Sequence, residues 1–451
     1  GREDVGLLVR LLQDTKSPEG RLYALDALLA LGADALPAAP ALAGALEDRD
    51  ATVRGKACKA LGSIGKGAKD SAYRPLLEAL RDADEEVSTA AAAALVQMGP
   101  PARGQVPALA RSLKDPSVAV RRYAVGSLAG LATEAGDAVP ALAEAAGQDA
   151  RADLRCKALE ALVKIEPARK EAVAAFTRAL GDADAQVCLQ AVHGLAQAGV
   201  DGGALPGLVQ ALDHADPAVS RVADEALQKL KPAKADVPAL AKGLQSKKAS
   251  TRLRVIEVLG GLRGDAAEAV PGLCRILKDG MGAERLKALA ALRQVGAPAQ
   301  EAGPQLVELL KDSDKAVAFE AALALAEVGG DDVARAVGVL VKALPVEDLE
   351  DAEAIKARDR AAAALVRIGQ PALRGLVYAL ENDLGRGGRL TALGVANGRG
   401  RLAVIQTLAA LGPKAHAPDV LLALARVERG DVFPEVRLAA KQARIKIQAK
   451  E

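Results

Sequence analysis

The sequence predicts an all-α fold, a right-handed α-solenoid of about 13 helical hairpins stacked in a single array over residues 1–451. Three observations predict it: a self-similar period near 33 residues, apolar positions recurring with helical spacing inside each period, and a palette almost without aromatics. Aromatic residues make up 2% of the chain and Trp is absent, so Leu, Val, Ile and Ala must fill the interior. Side chains of that size suit close helix packing.

Prolines opening a Pro-x-Leu pattern or a near variant stand at Pro40, Pro107, Pro140, Pro206, Pro238, Pro271, Pro304 and Pro371. Their separations are 67, 33, 66, 32, 33, 33 and 67 residues, one or two periods each. Arg74, Ala174 and Gly338 occupy the skipped places. With the ends added, the units fall near 4–37, 38–72, 73–105, 106–138, 139–172, 173–204, 205–236, 237–269, 270–302, 303–336, 337–369, 370–416 and 417–450.

The first helix of each unit opens at or near Pro, where a missing N–H costs nothing because the first turn has no acceptor for it. Pro304, Leu306, Leu309 and Leu310 show its apolar stripe. An acidic turn follows, as at Asp48 and Asp50, Asp82 and Asp84, Asp182 and Asp184, or Asp312 and Asp314. Asp suits this place because its carboxylate accepts hydrogen bonds from the exposed N–H groups of the next helix. In the second helix, counting its first core residue as zero, small or apolar residues recur at +4, +7, +8 and +11. Val53, Ala57, Ala60, Leu61 and Ile64 form one such set, and Val317, Ala321, Ala324, Leu325 and Val328 another. Gly follows at +12 in eight units, at Gly32, Gly65, Gly99, Gly199, Gly296, Gly329, Gly369 and Gly412, where a left-handed residue would end the helix.

Position +1 carries Arg in nine units: Arg21, Arg54, Arg121, Arg155, Arg252, Arg285, Arg358, Arg401 and Arg437. A phosphate ladder is one reading. The preferred one is structural, each planar donor fork bridging acidic side chains or carbonyls of the turns within and between units.

The period alone is ambiguous, because ankyrin repeats run roughly 33 residues and tetratricopeptide repeats roughly 34. There is no Thr-Pro-Leu-His, and without Trp the tetratricopeptide signature cannot be assembled. A Pro-opened helix, an Asp-rich turn and then Val-Arg-x-x-Ala-x-x-Ala-Leu-x-x-Ile-Gly resemble the HEAT repeat, in the short form common in bacterial proteins and similar to the HEAT-like repeats of bilin lyases. Val53 to Gly65 matches the pattern almost position for position, and the resemblance extends over essentially the whole chain. The units containing Cys188, Ser220 and Ala318 depart from it by lacking the Arg. The resemblance implies that second helices line the concave side, so their polar stripe at +3, +6 and +10 is the expected working surface. From it come the candidate partner-binding residues Tyr23, Lys56, Lys59, Tyr123, Lys157, Glu160, Lys164, His193, Arg254, Lys287, Glu320, Arg360 and Arg367.

Sixty basic against 58 acidic residues remove the overall pull expected of a dedicated nucleic-acid or membrane-surface binder. No run approaches 18 apolar residues free of charge and no charged-then-apolar leader opens the chain, so a soluble protein without a membrane span is expected. Residue 1 is Gly, and the sequence assigns no compartment. Cys58, Cys156, Cys188 and Cys274 fit neither a zinc ribbon nor a disulfide framework.

No cofactor or metal is expected. His193, His214 and His416 are the only histidines and none precedes Glu, so the His-Glu pairs of HEAT-like deoxyhypusine hydroxylases are missing. Cys188 and His193, five apart on one helix, do not face each other for a shared metal. Tyr23 and Tyr123 stand three units apart, too far to line one base pocket of the kind HEAT-like DNA glycosylases use. The expected function is therefore a non-enzymatic scaffold that binds a partner protein or peptide. Nucleic-acid binding on the same face and a bilin-lyase-like chromophore chaperone are the alternatives. Two insertions break the rhythm: the acidic stretch Glu347, Asp348, Glu350, Asp351 and Glu353, and the Gly- and Arg-rich stretch from Gly385 to Gly400, both expected as loops.

Overall fold

Each turn of the chain is set by a residue suited to stop or start a helix. The second Asp of the acidic turns caps the following helix: Asp50 accepts from the N–H groups of Thr52 and Val53, Asp84 from Glu86 and Val87, Asp184 from Gln186 and Val187. Prolines such as Pro107, Pro140, Pro206, Pro238 and Pro271 occupy the first turn of their helices. All eight glycines at +12 have positive φ, between 53° and 90°. Where the helix C-cap is one of them, ψ lies between −126° and −172°. The expected left-handed helical residue is thus replaced by the mirror-β conformation, which is still more confined to Gly.

The computed structural model describes residues 4–13, 17–99, 103–344, 351–384 and 398–449. Its α-helices pair into thirteen hairpins, and no strand occurs among the described residues. The chain divides into two compact units, residues 1–230 and 231–451. The first holds seven hairpins: Val5–Gln13 with Pro18–Leu31, Ala39–Gly44 with Ala51–Ile64, Lys69–Ala79 with Glu85–Gln97, Val106–Ser112 with Val118–Leu131, Val139–Gln148 with Ala152–Ile165, Lys170–Ala179 with Ala185–Ala198, and Leu205–Leu212 with Pro217–Lys229. The second holds six: Val237–Gly243 with Ala249–Gly261, Val270–Asp279 with Gly282–Val295, Gly303–Leu309 with Lys315–Val328, Val337–Lys342 with Ala352–Ile368, Gln370–Leu384 with Arg399–Leu411, and Pro418–Gly430 with Pro434–Gln448. Within each unit second helices pack on successive second helices, and several first helices on the next first helix, so the core is a line of layers. Val53, Ala57, Ala60 and Leu61 are fully buried, as are Val317, Ala321, Ala324 and Leu325.

One stretch, Pro18–Glu47, is long and apolar enough to cross a membrane by length and composition, contrary to the sequence expectation. The positive φ of Gly32 divides it, and its parts form the second helix of hairpin 1 and the first of hairpin 2. At the acidic insertion, Asp351 caps the helix Ala352–Ile368 by accepting from Glu353 and Ala354, so Asp351 and Glu353 belong to a helix start. Glu347, Asp348 and Glu350 lie outside the described residues, as does the Gly-rich stretch from Gly385 to Asn397. Its end, Arg399 and Gly400, begins the helix Arg399–Leu411 rather than a loop. Gly398 caps that helix at φ 76°, and a Cβ there would stand 2.6 Å from the Phe433 ring.

Candidate functional site

Two polar systems recur along the hairpins, and position on the second helix separates them. The first is at the turns. Arg54 donates from Nη1 to the carbonyl of Asp48 in its own turn at 2.8 Å, and from Nε and Nη2 to both oxygens of Asp82 in the next turn at 2.6 and 2.9 Å. Asp82 meanwhile accepts from the N–H of Asp84. In each Asp-x-Asp turn the first Asp thus receives the arginine fork of the preceding hairpin, and the second caps the helix. Arg121 to Asp149, Arg155 to Asp182 and Arg401 to Asp431 repeat the arrangement at 2.7 Å, Arg21 pairs with Asp48 at 2.9 Å, and Arg285 pairs with Asp312. The Arg fork holds the Asp82, Asp182 and Asp312 carboxyls below the usual range, and the same bonds raise Arg54 and Arg155. Held by turn carboxylates, these arginines form structural rungs.

Three rungs show how the chain compensates for a missing member. Ser88 stands where Arg is expected, and Arg81 of the same hairpin reaches Asp115 instead, at 2.9 Å. Cys188 has no fork, and the next turn carries His214, whose Nδ1 accepts from the Asp216 N–H as an Asp oxygen would. After Arg252 the fork is taken by Glu284, at the first core position of its helix, 3% exposed and 2.6 Å from Arg252, although the turn carries Asp279. Arg358 departs from the series by pairing with its neighbour Asp359, and Arg437 bonds its own turn at the Asp431 carbonyl.

The second system is the outward ridge of the second helices. Lys59, Glu160, Lys164, His193 and Arg367 at +6 or +10 are exposed, whereas +3 lies on the flank beside the preceding hairpin. Three +3 cations are consequently tied to acids of that hairpin: Lys56 to Asp26 at 2.6 Å, Lys287 to Glu257, and Arg360 to Glu320 at 2.7 Å. Arg254 pairs with Glu257 at 2.9 Å, and Arg367 with Glu327 at 3.0 Å. Tyr123 is a correction: at 5% exposure it is buried, its hydroxyl 3.0 Å from that of Tyr73, which also donates to Gln105. The aromatic cannot serve a partner. Tyr23 remains 68% exposed. Lys157, Glu160 and Lys164 on hairpin 5 and His193 on hairpin 6 are exposed, and none makes an ion pair among the described residues.

No group of three His, Cys, Asp or Glu residues placed to hold a metal occurs among the described residues. Cys188 lies 3.3 Å from the carbonyl of Asp182. Burial pushes the thiols up, Cys58 to about 12 and Cys274 to about 11, far from nucleophilic activation at neutral pH.

The HEAT-repeat profile matches residues 5–96, 41–117, 106–196, 205–293 and 270–356, together well over half of the chain. The protein belongs to the HEAT-repeat family. No curated protein matches the sequence. Among solved structures, the chain is similar to the karyopherin Kap121p bound to the extreme C-terminus of the protein phosphatase Cdc14p, at 14% identity, 98% of this chain, 54% of that one and a TM-score of 0.44. It is also similar to importin beta, at 13% identity, 98% and 67% coverage and a TM-score of 0.35. A third similarity is to a chain from a structure on the interaction between cadherin and beta-catenin, at 15% identity, 98% and 100% coverage and a TM-score of 0.35. The chain spans about half the length of the karyopherin.

Proposed function

We propose that the protein is a non-enzymatic scaffold that holds a segment of a partner protein on the outward ridge of its second helices. One observation carries the reading: the ridge recurs from hairpin to hairpin while cations on its flank are neutralised by acids one hairpin away, as in Lys56 with Asp26 and Arg360 with Glu320, and Arg367 on the ridge is held by Glu327. A polyanion needs a dense, uncompensated basic track. A surface of small residues, amides and locally balanced charge suits the mixed chemistry of a protein segment. The turn arginines add nothing to a basic track, because their forks are spent on Asp82, Asp149, Asp182 and Asp431.

The exposed residues of hairpins 5 and 6, Lys157, Glu160, Lys164 and His193, form the first contact point in this reading, since neither lysine makes an ion pair among the described residues. K157E/K164E is expected to weaken partner capture by about tenfold with an unchanged melting temperature. R360E/R367E also breaks two inter-hairpin pairs and is expected to lower the melting temperature slightly. Pull-down with mass spectrometry, followed by titration of the recovered partner, measures this. Undiminished capture by K157E/K164E contradicts the placement, and a steep salt-dependent affinity for DNA or RNA favours the nucleic-acid alternative.

A further inference from the structure

In the second unit a groove of about 500 Å³ opens between the helix Gln370–Leu384 and the start of the helix Pro418–Gly430. It lies on the layer of first helices, away from the ridge discussed above. Leu373, Val377 and Val420 give it an apolar floor. Arg374 lines one wall and Lys414 and His416 the other, all three exposed, while the Tyr378 ring beside them is 67% exposed.

The Tyr378 ring distinguishes it from the other grooves described, and its charge balance differs from that of two of them. In the groove containing Lys114 and Arg121, the cations are consumed by Glu144 at 2.8 Å and Asp149 at 2.7 Å. In the groove containing Arg252, Glu284 takes the guanidinium. Here the acid on the Arg374 wall, Glu381, is already bound to Arg426 at 2.9 Å. Neither Arg374 nor Lys414 makes an ion pair among the described residues, and Asp419 is the one remaining acid in the lining. An apolar floor between unmatched cations, with an aromatic face at the edge, is complementary to carboxylates alternating with apolar side chains. The volume falls within the range of roughly 300–1,000 Å³ usual for binding clefts.

We propose that this groove docks a short acidic-apolar segment of a partner protein, with carboxylates on Arg374 and Lys414 and an apolar side chain against Tyr378 and the Leu373–Val377 floor. The occupant is peptide, because the cations come from two different elements, the helix Gln370–Leu384 and the turn before Pro418–Gly430, with the apolar floor between them, and a run of alternating acidic and apolar side chains matches both. The site is independent of the second-helix ridge, and either can fail without the other.

The test uses the full chain and a fluorescein-labelled Glu-Leu-Glu-Leu-Glu peptide, with Lys-Leu-Lys-Leu-Lys as control, read by fluorescence anisotropy. The expected result is saturable binding of the acidic peptide alone. R374E/K414E should weaken it by about tenfold and confer binding of the basic peptide. Tyr378→Ser should weaken it several-fold by removing the aromatic contact, which keeps the test decisive if the charge variant proves unstable. K157E/K164E should leave the affinity unchanged. No saturable binding, equal binding by R374E/K414E and wild type, or loss of binding in K157E/K164E overturns the proposal; the last outcome would transfer the peptide to the second-helix ridge.

Discussion

Phe176 is fully buried in the first helix of hairpin 6, at a place where the repeat elsewhere supplies Leu42, Leu76 and Leu142. Its ring fits because +7 of the paired helix is Gly194 instead of Ala: a Cβ on Gly194 would stand 2.3 Å from the ring. Large and small residues have exchanged volume across the hairpin. Gly194→Ala should therefore cost about 1–3 kcal/mol from overpacking. Phe176→Leu should recover most of that loss in the double variant, a coupling measurable by urea denaturation as a double-mutant cycle. Additive losses would mean the two positions do not share one cavity. Titration offers a second residue-scale prediction. Burial pushes the Cys58 thiol up to about 12, and burial with the Tyr123 hydroxyl raises the Tyr73 phenol. In the unfolded chain both groups ionise at lower pH, so above the ordinary thiol value the unfolded state binds fewer protons than the native state. The stability associated with these groups is complete below about pH 9 and is lost as pH rises toward the folded values. Urea midpoints should fall between pH 9 and pH 11, and Cys58→Ala should reduce that slope; an unchanged slope assigns the alkaline loss to other groups.

At the scale of the element, the stop after each second helix is the most regular feature, and two helices obey it with the wrong residue. Ala132 and Arg263 have φ of 47° and 53°, the two positive values outside Gly among the described residues. Ala132 has ψ −128°, the same turn that Gly32 makes at ψ −126°. A Cβ is strained there, so Ala132→Gly should stabilise by about 1 kcal/mol despite the greater entropy of the unfolded chain. A raised melting temperature is the readout; a lowered one would show that strain at this turn is smaller than the entropy cost. The Gly stops were legible in the sequence, as were the Asp caps and the Pro starts, because each acts on backbone groups within about four residues, whereas those at Ala132 and Arg263 were not. What was not legible depends on partners far along the chain. Tyr123 looked outward by periodicity and is buried because Tyr73, 50 residues away, meets its hydroxyl. Lys56 looked available until Asp26 of the preceding hairpin claimed it. Glu284 at a core position carried a detectable signal, an acid where Val stands in many other units. Arg81 replacing the absent fork at Ser88 carried none.

For the molecule as a whole, stability assembled from neighbour contacts should make damage local. Asp431 tests this sharply. It is 4% exposed, accepts from Arg401 at 2.7 and 3.2 Å, and also holds the N–H of Phe433. Its own main-chain carbonyl receives Arg437 at 2.7 Å. Asp431→Ala removes a buried carboxylate that holds Arg401, itself 9% exposed, a change expected to cost about 3 kcal/mol. R401M/D431L removes both charges and should recover most of that loss, since the desolvation penalty disappears with the pair. In a globular core such a loss would lower protection from hydrogen exchange everywhere. In a line of layers the opening it permits involves the hairpins that share the rung. Exchange read by mass spectrometry should accelerate in the helices Arg399–Leu411, Pro418–Gly430 and Pro434–Gln448, while Ala51–Ile64 and Glu85–Gln97 keep wild-type rates. Equal acceleration in those distant helices would show that the chain unfolds as one cooperative body, and the nearest-neighbour account of its stability would then be wrong.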